Sequence, residues 1–287
     1  MRSSQFQHFP RVGLVGFGLM GGSLARALKT LPDPPHIRAA AESPEDLEEG
    51  LATGVLDQAV LHGPDLFTEL DLLVYATPLG ATLELMGRLV GLIEPGTLVT
   101  DLVSLKTPVL EKMREVGLSH RFVGSHPMVG GEGKGFSAAR EGLFDGVRVW
   151  MAAEGAEEDS LEKVANLWAA VGARPARLDA AKHDEMMAWV SHLPQLVANS
   201  LAMAIGDAGF SPGDLGTGGR DMTRLAGSAP EMWEDLFRDA PQDLSRALQA
   251  VERGLSEFRD ILDRGTAEEI TALMQRTRRW LEEGEWS

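Results

Sequence analysis

Short apolar runs alternate with amphipathic segments through the first part of the chain. Between the runs, apolar residues recur at helical spacing, for example over 20–31, 44–53 and 82–92. Strands separated by helices are typical of βαβ units and a parallel sheet. The strand-like runs cover residues 11–16, 37–41, 71–76, 97–101, 121–125, 146–152 and 174–178.

The pattern changes near residue 179, where helical periodicity takes over up to the end of the chain. Glycine-rich breaks interrupt it at Gly206–Gly219 and at Gly265. We therefore predict two domains in the α/β class. Residues 1–178 form a Rossmann-like, mostly parallel sheet domain that binds a dinucleotide, and residues 179–287 form an all-helical domain for substrate and dimer contacts.

Four of the apolar runs end in residues that could bind a ligand or take part in catalysis. The first opens into a glycine loop over residues 16–21, and the third ends at Thr77-Pro78. The fourth leads through Asp101 to Ser104, and the fifth ends at His126. If these runs are parallel strands of one sheet, their ends share its carboxyl edge, which is where open α/β sheets bind ligands.

The glycine loop reads Gly16-Phe-Gly18-Leu-Met-Gly21, after an apolar strand and before an amphipathic helix. Gly16 permits a tight turn, Gly18 lets a pyrophosphate approach the backbone, and Gly21 lets helix and strand come close. The helix start offers free N–H groups to phosphates. We predict dinucleotide binding here. The candidate cofactor contacts are Gly16, Gly18, Leu19, Met20, Gly21, Thr77 and Pro78.

The residue that reads the cofactor ribose is expected near the end of the second strand, about 20 residues after the loop. Glu42 stands there and would bond the ribose hydroxyls and repel a 2′-phosphate, whereas the neighbouring Ser43 would tolerate one. No arginine follows directly, which favours NAD and leaves NADP open. Ser43 also has the features of a helix cap, with Pro44 in the first turn.

The segment 183–205 has the pattern of one helix with two different faces. Met186, Trp189, Val190, Leu193, Val197 and Ala204 lie on one face, which we predict to be core. A second stripe suits the wall of a cleft and contains Ala188, His192, Gln195 and Asn199. Pro194 removes the hydrogen bond to the Val190 carbonyl, so we expect a kink.

Composition excludes several classes of protein. The formal charge is −16, which argues against nucleic acid as a partner. The chain has no cysteine, so thiolate chemistry and disulfides are excluded. No ligand spacing such as H-x-x-x-H occurs among the seven histidines, and we predict no metal site. No run is long enough to span a bilayer, and the start has no apolar signal segment, so we expect a cytoplasmic protein.

Several longer motifs resemble the prephenate/arogenate dehydrogenase family, and they occur in that family's order. They are the run from Gly13 to Ala25 around the glycine loop, Asp101-Leu-Val-Ser-Leu-Lys106, Gly124-Ser-His-Pro-Met-Val-Gly-Gly-Glu132, His183-Asp184, Ser191-His-Leu-Pro194, and Arg220-Asp-Met-Thr-Arg224. The resemblance implies a Rossmann-like domain, a helical domain that forms a homodimer, and NAD-dependent oxidative decarboxylation of prephenate to 4-hydroxyphenylpyruvate in tyrosine biosynthesis.

The resemblance also implies roles for individual residues. His126 matches the catalytic histidine, and Ser104 matches a serine that touches that histidine and the nicotinamide side. Three matches concern the substrate: His192 lines its pocket, Arg224 binds a carboxylate, and Glu132 controls access. Ala188 is added to the substrate side because it shares the stripe with His192.

The chain departs from the family's usual pattern at two places. Gln195 stands where many members have a second histidine, and Ala41 stands where an aspartate usually ends the second strand, with Glu42 one place later. The second departure weakens the assignment of NAD over NADP. The helical domain uses up the remaining chain, so we expect neither an ACT domain nor a fused chorismate mutase.

The chemistry of prephenate fits these residue types. Loss of a hydride from the carbinol carbon is easier when the hydroxyl proton passes to a base, and a histidine with a pKa of about 6.5 is mostly neutral at pH 7. Arginine suits the side-chain carboxylate. Arogenate, which differs at the side chain, stays open as the substrate. A β-hydroxyacid dehydrogenase would use a lysine on the linking helix, where Lys182 stands only at the start. A non-catalytic dinucleotide sensor would have no use for His126 and Arg224 together.

Overall fold

A computed structural model describes residues 9–60, 64–131, 133–239 and 241–283. Eight strands form one sheet. Their bounds are β1 Arg11–Val15, β2 His36–Ala40, β3 Gln58–Ala59, β4 Leu72–Tyr75, β5 Leu98–Asp101, β6 Phe122–Pro127, β7 Arg148–Ala152 and β8 Arg174–Arg177.

The sheet order is β3-β2-β1-β4-β5-β6-β7-β8. All neighbours pair in parallel except β6 and β7, which are antiparallel. The prediction of a mostly parallel sheet is confirmed, and each of the seven predicted runs overlaps a strand. Strand β3 was not predicted, because two residues are too few to produce a hydrophobic pattern.

Five helices cover the two faces of the sheet. Alternate residues of β4 explain this, since Leu72 and Val74 enter one apolar core while Leu73 and Tyr75 enter the other. Helix α2 begins as predicted, with the Ser43 hydroxyl accepting a hydrogen bond from the Asp46 N–H at 3.1 Å. The helices are α1 Leu19–Lys29, α2 Pro44–Ala52, α3 Leu79–Leu89, α4 Thr107–Glu115 and α5 Glu158–Ala170.

The second part of the chain is helical. Its elements are α6 Ala180–Met187, a π-helical turn Ala188–His192, α7 Leu193–Asp207, α8 Thr217–Thr223, a 3₁₀ turn Arg224–Gly227, α9 Glu231–Asp239, α10 Pro241–Arg264 and α11 Ala267–Glu283. Within the described ranges, no helix combines the length and the apolar character that crossing a membrane requires.

The expected single helix over 183–205 is divided. The π turn ends at His192, and Pro194 occupies the first turn of α7. Because Pro194 has no N–H, the α-helical hydrogen bond to the Val190 carbonyl cannot form, and the chain changes its hydrogen-bonding register at this point. The predicted interruption is therefore present and takes the form of a π turn.

The prediction of a single apolar core face on this helix is partly wrong. Leu193 and Val197 do contribute to a small core with α10, but Trp189 is 44% exposed and Val190 58% exposed. The buried line instead contains the polar residues His183, Asp184 and His192. His183 and Asp184 form hydrogen bonds with residues of the sheet domain. The helix therefore turns this polar side inward, and Trp189 and Val190 are left exposed.

The first turn of α1 depends on glycine for close packing. Gly16 has φ of +100°, a value that side chains rarely allow, and an added Cβ there would lie 2.6 Å from the Ala76 carbonyl oxygen. An added Cβ at Gly21 would collide with the Gly16 carbonyl oxygen. Both neighbours are backbone atoms, so neither can move away by a rotamer change.

We expect Gly21→Ala to destabilise the protein by about 1–3 kcal/mol, because the methyl group forces α1 away from β1. Gly87→Ala is the matched control, since Gly87 is an exposed residue of α3 with nothing within 4 Å of an added Cβ. There alanine should stabilise by about 0.4–1 kcal/mol. Thermal and denaturant unfolding measure both changes, and equal stability of the two variants would contradict the packing argument.

Candidate active site

The strand order of the sheet reverses at β1. From β1 the chain builds outward through β2 and β3 on one side, and through β4, β5 and β6 on the other. Such a switch point is where open α/β sheets bind ligands. The glycine loop follows β1, Thr77-Pro78 follows β4, Ser104 follows β5 and His126 lies at the end of β6. The predicted common edge is therefore confirmed.

The glycine loop has the geometry that a dinucleotide phosphate requires. The Gly16 N–H donates to the Ala40 carbonyl at 2.8 Å, which ties the loop to the end of β2. An added Cβ at Gly18 would meet nothing closer than Gly135, at 3.9 Å. No side chain caps the start of α1 at Gly18, so the N–H groups of its first turn remain free for an anion.

The other predicted cofactor residues surround this loop. Leu19 and Met20 are half-buried in the first turn of α1. Glu42 is exposed one residue before the Ser43 cap, where a ribose could reach its carboxylate. The Thr77 hydroxyl is 2.7 Å from the Thr82 hydroxyl, and Pro78 caps α3 without a side-chain hydrogen bond.

The segment that follows His126 in sequence returns to the glycine loop. Phe136 stacks on Phe17 with ring centroids 4.7 Å apart, and the Arg26 guanidinium lies 4.2 Å from the Phe136 centroid. The Phe136 N–H also donates to the Asp46 carboxylate at 2.8 Å. These contacts connect the segment to both α1 and α2, so the end of β6 and the glycine loop belong to one packed unit.

His126 is paired with a second histidine. Its Nδ1 lies 2.9 Å from Nε2 of His183, and the two rings meet edge to face. Nδ1 of His183 in turn lies 2.7 Å from the Asp184 carboxylate. His126 is at the end of β6, while His183 and Asp184 are in α6, so this chain of contacts joins the sheet to the helical part.

Asp184 is held at the start of α4. Its carboxylate accepts the N–H groups of Lys106 and Thr107, both at 2.8 Å. Burial raises the pKa of Asp184, but the hydrogen bonds from His183, Lys106 and Thr107 outweigh burial, and the net shift is downward. An anion at a helix N-terminus is stabilised in the same way. Asp184 is therefore a carboxylate at neutral pH.

A buried ion pair holds the residue before His126. The Lys106 ammonium contacts the Asp101 carboxylate and donates to the Ser125 carbonyl at 2.9 Å. Asp101 also accepts the Ser125 N–H at 3.0 Å, and the Trp168 indole donates to the Ser125 hydroxyl at 3.0 Å. Lys106 and Asp101 are both fully buried. Ser125 is thus fixed through its backbone and its side chain, which limits the positions open to His126.

His126 is neutral in this environment. Burial lowers its pKa well below 6.5, and the electrostatic influence of His183, Lys106 and His192 acts in the same direction. The prediction of a mostly neutral ring at pH 7 is therefore strengthened. A neutral imidazole can accept a proton, as a general base must.

His192 is buried beside Trp233 in the helical part. It is 1% exposed, its ring faces Trp233 edge to face with centroids 6.0 Å apart, and its Nδ1 has no hydrogen-bond partner. Burial lowers the pKa of His192 to about 4, against the opposing charge of Asp184. Ala188, in the same π turn, is fully buried. A buried ring nitrogen without a partner is a candidate to meet a ligand.

Arg224 begins the 3₁₀ turn after α8 and is exposed. Gln195, which stands where many family members have a histidine, forms hydrogen bonds to this turn. Its amide donates to the Leu225 carbonyl at 2.8 Å and accepts from the Ser228 hydroxyl at 3.3 Å. Gln195 is 2% exposed. Its polar atoms therefore serve to connect α7 to the turn of Arg224.

The structure does not bear on two predicted site residues in the expected way. Ser104 is half-buried in the loop between β5 and α4, and the structure records no hydrogen bond between Ser104 and His126, both within the described ranges. The hydrogen-bond partner that the structure gives His126 is His183. Glu132 lies outside the described residues.

Sequence reasoning gave no role to three residues of the site: His183, Asp184 and Lys106. A signal was present, because all three belong to the motifs that carried the family resemblance. The missing information was spatial, since His183 is 57 positions from His126 in the chain.

Comparisons with known proteins agree with this geometry. Residues 24–176 match the family model described as prephenate dehydrogenase, nucleotide-binding domain, and residues 179–276 match prephenate dehydrogenase, dimerization domain. The prephenate dehydrogenase of Bacillus subtilis strain 168 is 29% identical over 268 residues, covering 90% of this chain and 71% of that protein.

Two solved structures are similar over nearly the whole chain. Prephenate dehydrogenase from A. aeolicus, solved with hydroxyphenyl propionate and NAD+, has a TM-score of 0.87 and 26% identity, covering 96% of this chain and 98% of that one. Synechocystis arogenate dehydrogenase has a TM-score of 0.81 and 25% identity, covering 96% and 100%. The nucleotide-binding model alone matches more than half of the chain. With the glycine loop at the switch point and a neutral histidine at the end of β6, these matches show that the chain belongs to the prephenate dehydrogenase family.

Proposed function

We propose that the chain is an NAD-dependent dehydrogenase that converts prephenate to 4-hydroxyphenylpyruvate by oxidative decarboxylation, a step of tyrosine biosynthesis. The observation that carries the proposal is the neutral His126 at the end of β6, on the same sheet edge as the glycine loop. Strand β6 is three strand steps from β1, about 14 Å at the usual spacing. A base and a phosphate site therefore face one crevice at a distance that an extended cofactor can span.

In the reaction, His126 accepts the hydroxyl proton at the carbinol carbon of prephenate. A nicotinamide held by the glycine loop would supply the acceptor for the hydride that leaves the same carbon. The bond from the ring to its carboxylate then breaks, and its electron pair completes the aromatic ring as carbon dioxide leaves. His126 returns its proton to the phenolic oxygen, so no net proton is gained or lost. A neutral base is needed at the start, which the lowered pKa of His126 provides.

Arg224 binds the side-chain carboxylate of the substrate in this proposal. Its guanidinium is exposed, on a turn that Gln195 connects to the buried helix face. A bidentate arginine–carboxylate pair fixes orientation as well as charge. A strong cation on the departing ring carboxylate would favour the ground state over the transition state, so the side-chain carboxylate is the better partner. His192 and Ala188 line the same pocket, and Ser104 lies toward the nicotinamide side.

NAD is the proposed cofactor. Gly16, Gly18, Leu19, Met20 and Gly21 would hold its phosphates at the glycine loop and the first turn of α1, with Thr77 and Pro78 beside them. The exposed Glu42 at the end of β2 would accept hydrogen bonds from the ribose. The A. aeolicus relative, whose structure contains NAD+, supports this choice.

The helical part is proposed to form a homodimer, with the domain boundary between residues 178 and 179. The family's dimerization-domain model begins at residue 179. Several large apolar side chains of this part stay exposed in the single chain, as a partner surface requires. They include Trp189, Val190, Met203, Phe210, Leu255, Leu262 and Trp280. A cytoplasmic location completes the proposal.

A substrate panel tests the activity directly. The purified protein is incubated with prephenate, arogenate or a β-hydroxyacid, each with NAD or NADP, and reduced cofactor is followed by absorbance. The proposal expects the highest kcat/KM with prephenate and NAD, with carbon dioxide released in equal amount. Turnover of arogenate but not of prephenate would make arogenate the substrate. If no combination of substrate and cofactor is turned over, an enzymatic role is contradicted.

We expect His126→Asn to bind NAD and prephenate almost normally but to lose about 10²–10⁴-fold in kcat, because only the proton acceptor is removed. Steady-state kinetics gives kcat, and quenching of tryptophan fluorescence gives cofactor binding. A kcat close to that of the wild type would remove His126 from the role of base.

We expect Arg224→Ala mainly to raise KM for prephenate, since the arginine binds ground and transition states alike. Loss of a charge-assisted pair should cost about 2–5 kcal/mol in substrate binding. Arg88→Ala is the control, because Arg88 is an exposed arginine on α3 that pairs only with Glu84 among the described residues. An unchanged KM in Arg224→Ala would leave this residue as a surface charge.

The pH profile of kcat/KM should reflect the environment of His126. Only the neutral ring acts as a base, and burial lowers its pKa well below 6.5. Because kcat/KM reports the free enzyme and free substrate, activity should persist below pH 6.5 and fall only at lower pH. The profile is repeated in His192→Asn, which should keep the same fall. A fall above pH 6.5, or its loss in His192→Asn alone, would contradict this assignment.

A further inference from the structure

Three polar side chains form a line that ends at the proposed base. Nδ1 of His126, Nε2 and Nδ1 of His183, and Oδ1 of Asp184 follow one another at 2.9 Å and 2.7 Å. His183 is 0% exposed and Asp184 8% exposed. The reaction scheme above uses only His126, so the two further members of the line need a separate explanation.

The direction of the hydrogen bonds can be worked out from Asp184. A carboxylate only accepts hydrogen bonds, and this one already accepts the Lys106 and Thr107 N–H groups. The Nδ1 of His183 must therefore donate to it. If His183 carries a single ring proton, its other nitrogen is an acceptor, and Nε2 of His183 then accepts from Nδ1 of His126. This leaves Nε2 of His126 without a proton.

We propose that His183 and Asp184 are positioning residues that hold His126 in the Nδ1–H tautomer, so that its Nε2 is the atom that receives the substrate proton. This inference depends on the proposed function in one respect only, namely that the proton comes from the hydroxyl group of prephenate. In the opposite tautomer, Nε2 would carry hydrogen and could not accept one. The line therefore decides whether the ring can act as a base at all.

The same line stabilises the reaction's charged state. When Nε2 of His126 takes the proton, the ring becomes an imidazolium that still donates from Nδ1 to His183. The Asp184 carboxylate polarises the His183 ring, which lies between it and His126. The negative charge of Asp184 therefore stabilises the positive charge on His126 across the His183 ring. This opposes burial and the positive charge of Lys106, which both disfavour the imidazolium. Fixed dipoles of this kind need no rearrangement during the reaction.

The side chains around the line are consistent with a fixed geometry. Asp184 cannot rotate without losing the two backbone N–H groups at the start of α4. His126 cannot shift far, because Ser125 is held by Asp101 and Lys106. Both ends of the line are anchored to the sheet domain, and His183 fills the space between them.

The first test is spectroscopic and needs no substrate. Histidine is labelled with ¹⁵N, and the ring nitrogens are assigned as protonated or unprotonated by NMR at neutral pH, with His126→Asn identifying the His126 signals. The proposal expects a protonated Nδ1 and an unprotonated Nε2 in both His126 and His183. A protonated Nε2 in His126 would overturn it, whether or not prephenate is the substrate.

The second test replaces the middle ring. His183→Phe keeps a ring of similar shape but cannot accept from His126, so the single tautomer should be lost in the spectrum and kcat should fall about 10²-fold or more, within the roughly 10⁴-fold known for a wrong histidine tautomer. KM for prephenate and cofactor binding should stay the same, while the melting temperature should fall because the Asp184 carboxylate loses one hydrogen-bond donor.

The matched control is His36→Phe, an exposed histidine at the amino end of β2 on the opposite edge of the sheet. It should change none of these quantities. An unchanged kcat and tautomer in His183→Phe would overturn the positioning role. So would a fall in kcat that is accompanied by a similar rise in KM and by weaker cofactor binding, because it would mark a purely structural residue. Lack of turnover by the wild type would instead contradict the proposed function and leave the NMR result intact.

Discussion

The Asp184 carboxylate is the group on which the arrangement of the site depends. It is a charge with little contact to water, and such a charge is tolerated only when its hydrogen bonds are satisfied. The partners come from two places: the N–H groups of Lys106 and Thr107 at the start of α4, and the ring of His183 beside it in α6. Satisfying one carboxylate therefore fixes the helical part against the carboxyl edge of the sheet.

A second buried charge group continues this arrangement along the edge. Lys106 gives its backbone N–H to Asp184 and its ammonium to Asp101 and Ser125. Burial lowers the pKa of Lys106 and raises that of Asp101, and their mutual contact opposes both shifts. The N–H groups of Ser125 and Val103 also lower the pKa of Asp101, and Asp184 also raises that of Lys106. Removing one partner would leave an uncompensated charge in the interior, which typically costs about 3–5 kcal/mol. The site and the junction of the two parts are stabilised by the same residues.

Much of the sheet could be predicted from the sequence, because its strands are short apolar runs between amphipathic helices. The dinucleotide site could also be predicted from local sequence, because the three glycines of its loop stand between a strand and a helix. Local chemistry also predicted the Ser43 cap and the interruption at Pro194. These features depend on neighbours within a few residues, which the pattern of side chains records directly.

Other features depend on contacts between distant segments. The outward position of Trp189 and Val190 follows from the pairing of His183 and Asp184 with the sheet edge, and the helical pattern alone gives the opposite face. Gln195 could be noted as a departure, but its hold on the turn of Arg224 needs the fold. The partner of His126 was predicted to be Ser104, whereas the structure brings His183 to its ring from 57 positions away.

The central claim is that His183 acts on the reaction only through His126. A double-variant cycle tests it most directly, with kcat measured for His126→Asn, His183→Phe and the combined variant. Residues that act as a unit are strongly non-additive. The account predicts that the combined variant is no slower than His126→Asn alone, since the second substitution has nothing left to position. Losses that multiply, so that the combined variant is slower by the product of both factors, would contradict it.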